Sequence, residues 1–399
     1  MKPLKPTPAG HAGALRAWRL GAAALVLSAL VARATIMAPV AGDFSGTKCG
    51  HAAGVRGGHG RKVTYWMPGV DGKLREENAI VLVPAGAAGR RRGRWPSGAR
   101  HDGHRGRLRA IQIGRPAQYL PYLNGLVGAG MAVVAPDYEG LGTAGLHPYL
   151  NLASAGRSMV FAAEAAAKAY PALSRRVAAI GHSQGGHAAL AAAQYAGEAG
   201  SLSYLGTVAI APASGLKASG QFLQSIITNT SLPPADRVEA AVGWTGFSAL
   251  ILAGLEGTDP TFDYDAAFGP DGAAVAASAL TQCTGPFFAG ITPAVQAAVL
   301  ATGTTDSIVP QTTINAPAVD AYLLATQPGT IALASPVLIL QGLDDTTVFP
   351  NFTQMLNTQM TGNGTVVDYR EFAGATHSSI VQASAVDAVT FLTGLFAAP

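Results

Sequence analysis

Cysteine and charge are both scarce in this chain. Only Cys49 and Cys283 occur among 399 residues, and charged residues make up 13% against 49% hydrophobic. Neither cysteine has Cys-x-x-Cys spacing or a His-rich neighbourhood, so no metal site is expected. In an oxidising compartment the two thiols are free to pair or to stay separate. The low charge and high apolar content exclude a disordered chain and leave enough for one large core with an inserted lobe. No repeat with a period of about 20 to 50 residues is present, which excludes a solenoid. Acidic residues are nearly missing from one stretch. Nine arginines lie between Arg90 and Arg115 with Asp102 the only acid. That stretch produces the formal charge of +4, and the rest of the chain is net acidic. A general nucleic-acid role is therefore not indicated.

The first 34 residues have the form of a secretory signal peptide. Lys2, Lys5, Arg16 and Arg19 make a basic leader, Leu20 to Ala32 is a short apolar run, and Ala32-Arg33-Ala34 fits a small-x-small site with cleavage after Ala34. A membrane anchor is the alternative, but the run is short against the ~20 residues that span a bilayer. A secreted or extracytoplasmic protein is expected.

Strand and helix patterns alternate along the chain. Lys62 to Trp66, Ala79 to Val83, Met131 to Ala135, Val177 to Ile180, Thr207 to Ala211, Pro336 to Leu340 and Val366 to Phe372 have strand character. Pro121 to Val127, Leu152 to Tyr170, His187 to Ala196, Asn351 to Met360 and the stretch from Ile380 onward have helical character. Such alternation implies an α/β fold, a mostly parallel sheet flanked by helices. Between about Ala213 and Thr330 the rhythm is lost, and helical pieces with Pro/Gly turns take over. The expected organisation is a signal peptide at 1–34, a core at 35–212 and 331–399, and a helical cap insertion at 213–330.

The chemistry centres on Gly181-His182-Ser183-Gln184-Gly185, a Gly-x-Ser-x-Gly motif after a strand and before a helix. A sharp strand-to-helix turn presents the serine hydroxyl, and the glycines leave room where side chains would collide. The backbone N–H of Gln184 can face a developing oxyanion, helped by the helix dipole. The bland alternative is a glycine-rich turn with a capping serine.

A serine hydroxyl needs a base, and the base needs a carboxylate to orient it. In this arrangement the chain order is serine, acid, histidine. Pro336 to Leu340 is a buried strand that runs into Gln341-Gly342-Leu343-Asp344-Asp345. Asp345 is the expected acid. Asp344 is the runner-up, since adjacent residues point oppositely at a strand end, and Asp306 sits in similar local spacing but follows a helical stretch. His377, 32 residues after Asp345, is the expected base. His182 and His187 lie too close to Ser183 along the chain to serve easily.

Together these motifs resemble the secretory lipase family of α/β-hydrolases. The segments that carry the resemblance are Met131-Ala132-Val133-Val134-Ala135-Pro136-Asp137-Tyr138-Glu139-Gly140-Leu141-Gly142, Gly181 to Gly186, Gln341 to Val348 and Gly374 to His377. It extends over most of the chain after about Lys62. It implies hydrolysis of small-molecule or lipid esters through an acyl-enzyme, without a cofactor and with a possible lipid-interface contact. Asp137 is then structural.

One segment departs from the family. Its oxyanion strand and loop carry His-Gly-Thr-x-Gly followed by Cys-Ala-Pro-Ser, and neither motif occurs here. The chain instead reads Arg-His-Asp-Gly-His-Arg-Gly-Arg-Leu-Arg-Ala-Ile from Arg100 to Ile111. Written in G- or C-ending codons and shifted by one base, those residues become Gly-Thr-Thr-Gly-Thr-Gly-Ala-Ala-Cys-Ala-Pro-Ser. A local frameshift thus restores both motifs in order. A divergent basic loop is the ordinary alternative, with Ala85 or Gly86 as the in-frame candidates for a second oxyanion donor. The expected function is a secreted lipase or esterase. A serine peptidase, an acyltransferase, a non-enzymatic binding protein or a homologue impaired by the 90–111 segment are the other readings.

Overall fold

The computed structural model describes residues 28–34, 58–84, 117–282 and 284–398. Cys49, Cys283, Ala85, Gly86, the 90–111 segment and the basic start of the leader lie outside those residues.

The first elements are strands β1 (Ser28–Ala34), β2 (Gly58–Pro68) and β3 (Leu74–Pro84). Then come helix α1 (Leu120–Gly128), β4 (Met131–Pro136), α2 (Leu152–Ala169), β5 (Leu173–His182), α3 (Gln184–Tyr195) and β6 (Ser203–Ile210). Six helices follow without a strand: α4 (Leu216–Thr228), α5 (Pro234–Thr258), α6 (Ala273–Thr281), α7 (Thr284–Thr302), α8 (Gln311–Ile314) and α9 (Pro317–Ala325). The chain closes with β7 (Val337–Gly342), α10 (Pro350–Gly362), β8 (Val367–Phe372), α11 (Ile380–Ala383) and α12 (Ala385–Ala397).

Among the described residues the strands form one sheet in the order β2-β3-β4-β1-β5-β6-β7-β8. β5 to β8 pair in parallel, β2, β3 and β4 are antiparallel neighbours, and β1 is antiparallel to both β4 and β5. β2, β4 and β5–β8 therefore run in one direction, with β1 and β3 opposed. β4 and β7 are buried along their whole length, as strands covered on both faces must be. One face packs on α1, α11 and α12 through Leu123, Leu126, Ile180, Leu340 and Leu392. The other packs on α2 and α3 through Met159, Ala163, Val134, Ala179 and Ala188.

β1 is an element that the sequence pattern did not announce. It coincides with the tail of the expected leader, yet its backbone bonds to Met131–Val134 on one side and to residues from Leu173 to Gly181 on the other. β2 and β3 are also longer than their apolar runs. Their hairpin extends through Arg75, Glu76, Glu77 and Asn78, whose polarity hides the strand, although Glu77 and Asn78 are buried.

The six consecutive helices have their own core, in which Trp244, Leu252, Phe287, Val295 and Val319 are buried together. Arg237 ties the group by donating to the carbonyls of Ile227 and Gly303. α5 and α7 are long and apolar enough to cross a bilayer by length and composition. α5 is mostly buried inside the protein, so its apolar character is that of a core helix.

Candidate active site

β5 delivers Ser183 through a strained turn. Ser183 has φ 60° and ψ −122°, a conformation that non-glycine residues rarely adopt and that costs on the order of 1–3 kcal/mol. Its N–H donates to the Ile210 carbonyl, and its carbonyl accepts from His187 and Ala213. These bonds tie the turn to α3 and to the end of β6. The turn needs Gly181, because a Cβ there would lie 1.9 Å from the Gly185 carbonyl oxygen. Gln184 is the first residue of α3, so its N–H has no acceptor within the helix and is free for an anion beside Ser183.

β7 delivers the acid. Asp345 is buried, and its Oδ1 accepts from the N–H groups of Thr347 and Val348, both at 2.8 Å. Its Oδ2 lies 2.7 Å from Nδ1 of His377. The carboxylate is held by its own turn and presents its other oxygen to the imidazole. Asp344 is exposed, and Asp306 accepts from the N–H of Gln311 at the start of α8. Of the three candidate acids, Asp345 is the one that meets His377.

His377 follows β8 and is buried, and its Nε2 makes no hydrogen bond. That nitrogen is the one left to act on a substrate or on Ser183. The two sides of the site meet at His182, whose ring centroid is 4.5 Å from that of His377. Burial, and then the neighbouring His377, push the His182 pKa well below the ordinary histidine range. A neutral ring there adds no repulsion when His377 gains a proton. The hydroxyl of Tyr119 contacts His182 Nδ1 at 3.0 Å. His187 bonds through Nε2 to the Thr326 carbonyl and is held down to about 4 by burial, which fits a structural role.

Two supporting residues escaped the sequence reading. Gln341 is fully buried, and its side-chain N–H groups donate to the carbonyls of Gly342 and Val348 while its oxygen accepts from Thr353. It thereby fixes the turn that carries Asp345. A polar residue ending the apolar run Val337 to Leu340 was the available signal. His147 lies in the loop between β4 and α2, where its Nε2 contacts the Gln184 side-chain amide. Nothing in its spacing marks it, since 37 residues separate the pair.

Above Ser183 opens a cleft between the loops that follow the strands and the helices after β6. Its walls include Leu216, Leu223, Trp244, Phe247, Phe349 and Phe352. Phe222, partly exposed, stacks edge-on against Phe349 at a centroid distance of 4.9 Å. The apolar and aromatic lining suits an apolar ligand placed against the serine. Among the described residues no cluster of three His, Cys, Asp or Glu side chains could hold a metal ion.

A mixed sheet, parallel from β5 to β8 and layered by helices, with a serine on a strained strand-to-helix turn and an Asp–His pair on later loops, defines an α/β-hydrolase. The family model for secretory lipases matches residues 118–398, and the chain belongs to that family. It is accordingly a carboxylic-ester hydrolase of the lipase and esterase type. The match begins just after the arginine-rich segment. Among solved structures, the chain is similar to the rice cell wall degrading esterase LipA from Xanthomonas oryzae, with 21% identity and a TM-score of 0.61, covering 85% of this chain and 90% of that one. It is also similar to Candida antarctica lipase A in its closed state, with 14% identity and a TM-score of 0.61, covering 85% and 78%. At these identities the likeness concerns the fold. No curated protein sequence matches the chain.

Proposed function

We propose that the chain hydrolyses carboxylic esters, lipids among them, with Ser183 as nucleophile, His377 as general base and Asp345 as its orienting acid. Ser183 Oγ attacks the ester carbonyl carbon while His377 Nε2 takes its proton. The N–H of Gln184 donates to the oxyanion. Collapse expels the alcohol, which receives that proton from His377, and leaves Ser183 acylated. Water then attacks the acyl-enzyme with His377 again as base. The free acid leaves, and the proton returns to Ser183. Asp345 keeps the Nδ1 proton in place and stabilises the imidazolium without taking the proton itself.

The observation that carries this reading is the 2.7 Å contact between Asp345 and His377 beside the strained Ser183. Within the same proposal, residues 213–330 act as a cap that shapes the acyl side of the cleft. Phe222 and Phe349, packed over the buried Phe352, form an aromatic rim suited to a lipid interface. The protein acts outside the cytoplasm, directed there by the 1–34 leader.

The test is hydrolysis of short- and long-chain p-nitrophenyl esters by the protein beside Ser183→Ala. Activity that disappears in the variant is the expected result. Equal rates in both proteins overturn the assignment of Ser183. Transfer of the acyl group to an added alcohol faster than to water favours an acyltransferase, and cleavage of peptides but not esters favours a peptidase.

A further inference from the structure

A second cavity lies behind the cleft at Ser183, between α4, α5, α8 and α9. It is a small, partly open space lined by Gln221, Ile314, Val319 and Leu323 among others. The two spaces share one wall, made by Leu216, Gly220, Trp244, Ser248 and Ile251. Trp244 is the largest side chain in that wall, and its ring sits directly against the backbone of α4 at Gly220. A Cβ at Gly220 would come within 2.5 Å of Trp244 Cζ3. The indole therefore reaches across the partition at the one point where α4 offers no side chain to stop it.

Trp244 belongs to the core of the six helices, yet it carries a polar atom that this core does not satisfy. The indole Nε1 is buried and has no hydrogen-bond partner, which is a cost that a phenylalanine or leucine would avoid. The far cavity opens beside Lys217 and Asp320, whose side chains form an ion pair at 2.6 Å and are both partly exposed. The space beyond the partition is thus not sealed into the protein core.

We infer that Trp244 is the floor of the acyl pocket and sets the acyl length this enzyme accepts. The inference rests on the proposed acylation of Ser183. An acyl chain attached there runs along Leu216 and Phe247 until its end meets the indole. Chains short enough to stop at the ring gain from each buried methylene. Longer ones must bend back toward the Phe222 and Phe349 rim. The cavity between α4 and α9 is then a latent extension of the pocket, closed by one side chain.

The experiment separates this inference from the catalytic reading by using binding rather than turnover. Linear fatty acids of graded length are titrated calorimetrically into Ser183→Ala and into the double variant Ser183→Ala/Trp244→Ala. Affinity in the first is expected to rise about fourfold per methylene, the Boltzmann factor of a buried methylene, and then to level off. In the second the levelling point moves several carbons further out. The p-nitrophenyl ester profile of Trp244→Ala on active enzyme is expected to shift the same way, through KM more than kcat. Trp244→Leu serves if the alanine variant does not fold. An unchanged levelling point, or affinities independent of length in both proteins, overturns the inference. Absence of ester hydrolysis in the unaltered protein, together with a shifted levelling point, would overturn the catalytic reading and with it the role in acyl choice, leaving Trp244 as the end of a fatty-acid pocket.

Discussion

The side-chain amide of Gln184 donates to Nε2 of His147 across 2.9 Å, while Nδ1 of the same ring donates to the Glu139 carbonyl. The second bond fixes the ring as an acceptor toward Gln184. Burial pushes the His147 pKa down to about 4, so the ring stays neutral and keeps that acceptor at neutral pH. The loop after β4 thereby grips the residue whose backbone N–H is proposed to meet the oxyanion.

His147→Leu should lower kcat about tenfold, less than the ~100- to 1000-fold loss of a whole oxyanion donor. KM should change little. Active-site titration with a phosphonate, followed by kcat per titrated site, makes the measurement. His147→Gln, which keeps an acceptor, should recover most of the rate. A variant that loses active protein but keeps kcat per site would reduce His147 to a packing residue.

Asp345→Asn should lower kcat by about 10⁴-fold, because the amide can present an N–H where His377 Nδ1 needs an acceptor. The variant should fold, as the remaining side-chain oxygen can still accept from Thr347 and Val348. Circular dichroism beside ester kinetics checks both halves. A loss under tenfold would point to another acid.

Ser183→Gly should abolish activity and raise stability by about 1–2 kcal/mol, since glycine adopts the positive φ of the turn without strain. Denaturant unfolding of the variant beside Ser183→Ala reads the difference. A glycine variant no more stable than the alanine one would show that the turn is unstrained.

Acid should weaken the fold through His187. Its folded-state pKa of about 4 lies below the ordinary 6.5, so the unfolded chain binds the extra proton first as pH falls. The folded state thus loses stability between pH 6.5 and pH 4. From pH 7 to pH 5 this one group removes about 2 kcal/mol. Unfolding of the protein and of His187→Gln at both pH values makes the comparison, with a shallower slope expected in the variant.

Sequencing the gene between Gly89 and Gln112 should show third bases that allow the one-base shift. Expression in the shifted frame should then raise kcat about 100- to 1000-fold, the worth of one oxyanion donor. An intact frame with incompatible third bases rejects the idea and leaves a basic loop.

The main strands and helices were legible because most strands are continuous apolar runs with Gly or Pro at their ends. Leu152 to Tyr170 ends within a residue of α2, whose start is capped by Asn151 accepting from Ser154. The serine was legible because its turn demands glycines at fixed offsets, and chain order singled out the histidine. Spacing favoured Asp345 over Asp344, but the reason is spatial: the turn hydrogen bonds from Thr347 and Val348 hold the Asp345 carboxylate against His377. The His147–Gln184 contact and the Trp244 partition were invisible because both depend on distant loops meeting in space. The stretch from Ile380 onward read as one helix but is divided at Ser384, whose hydroxyl bonds to Tyr122 and to the Ile380 carbonyl. β1 was hidden for a different reason: an apolar leader and a strand paired on both sides have the same composition.

That double character of Ser28–Ala34 makes the order of events in biogenesis matter. Protein cut after Ala34 has no β1, and β4 and β5 then face each other across two strand spacings, about 9.6 Å. Their inward N–H and C=O groups are too far apart to bond directly and too deep to be wetted cheaply. With residues 28–34 retained, β1 bonds to both neighbours and closes that gap.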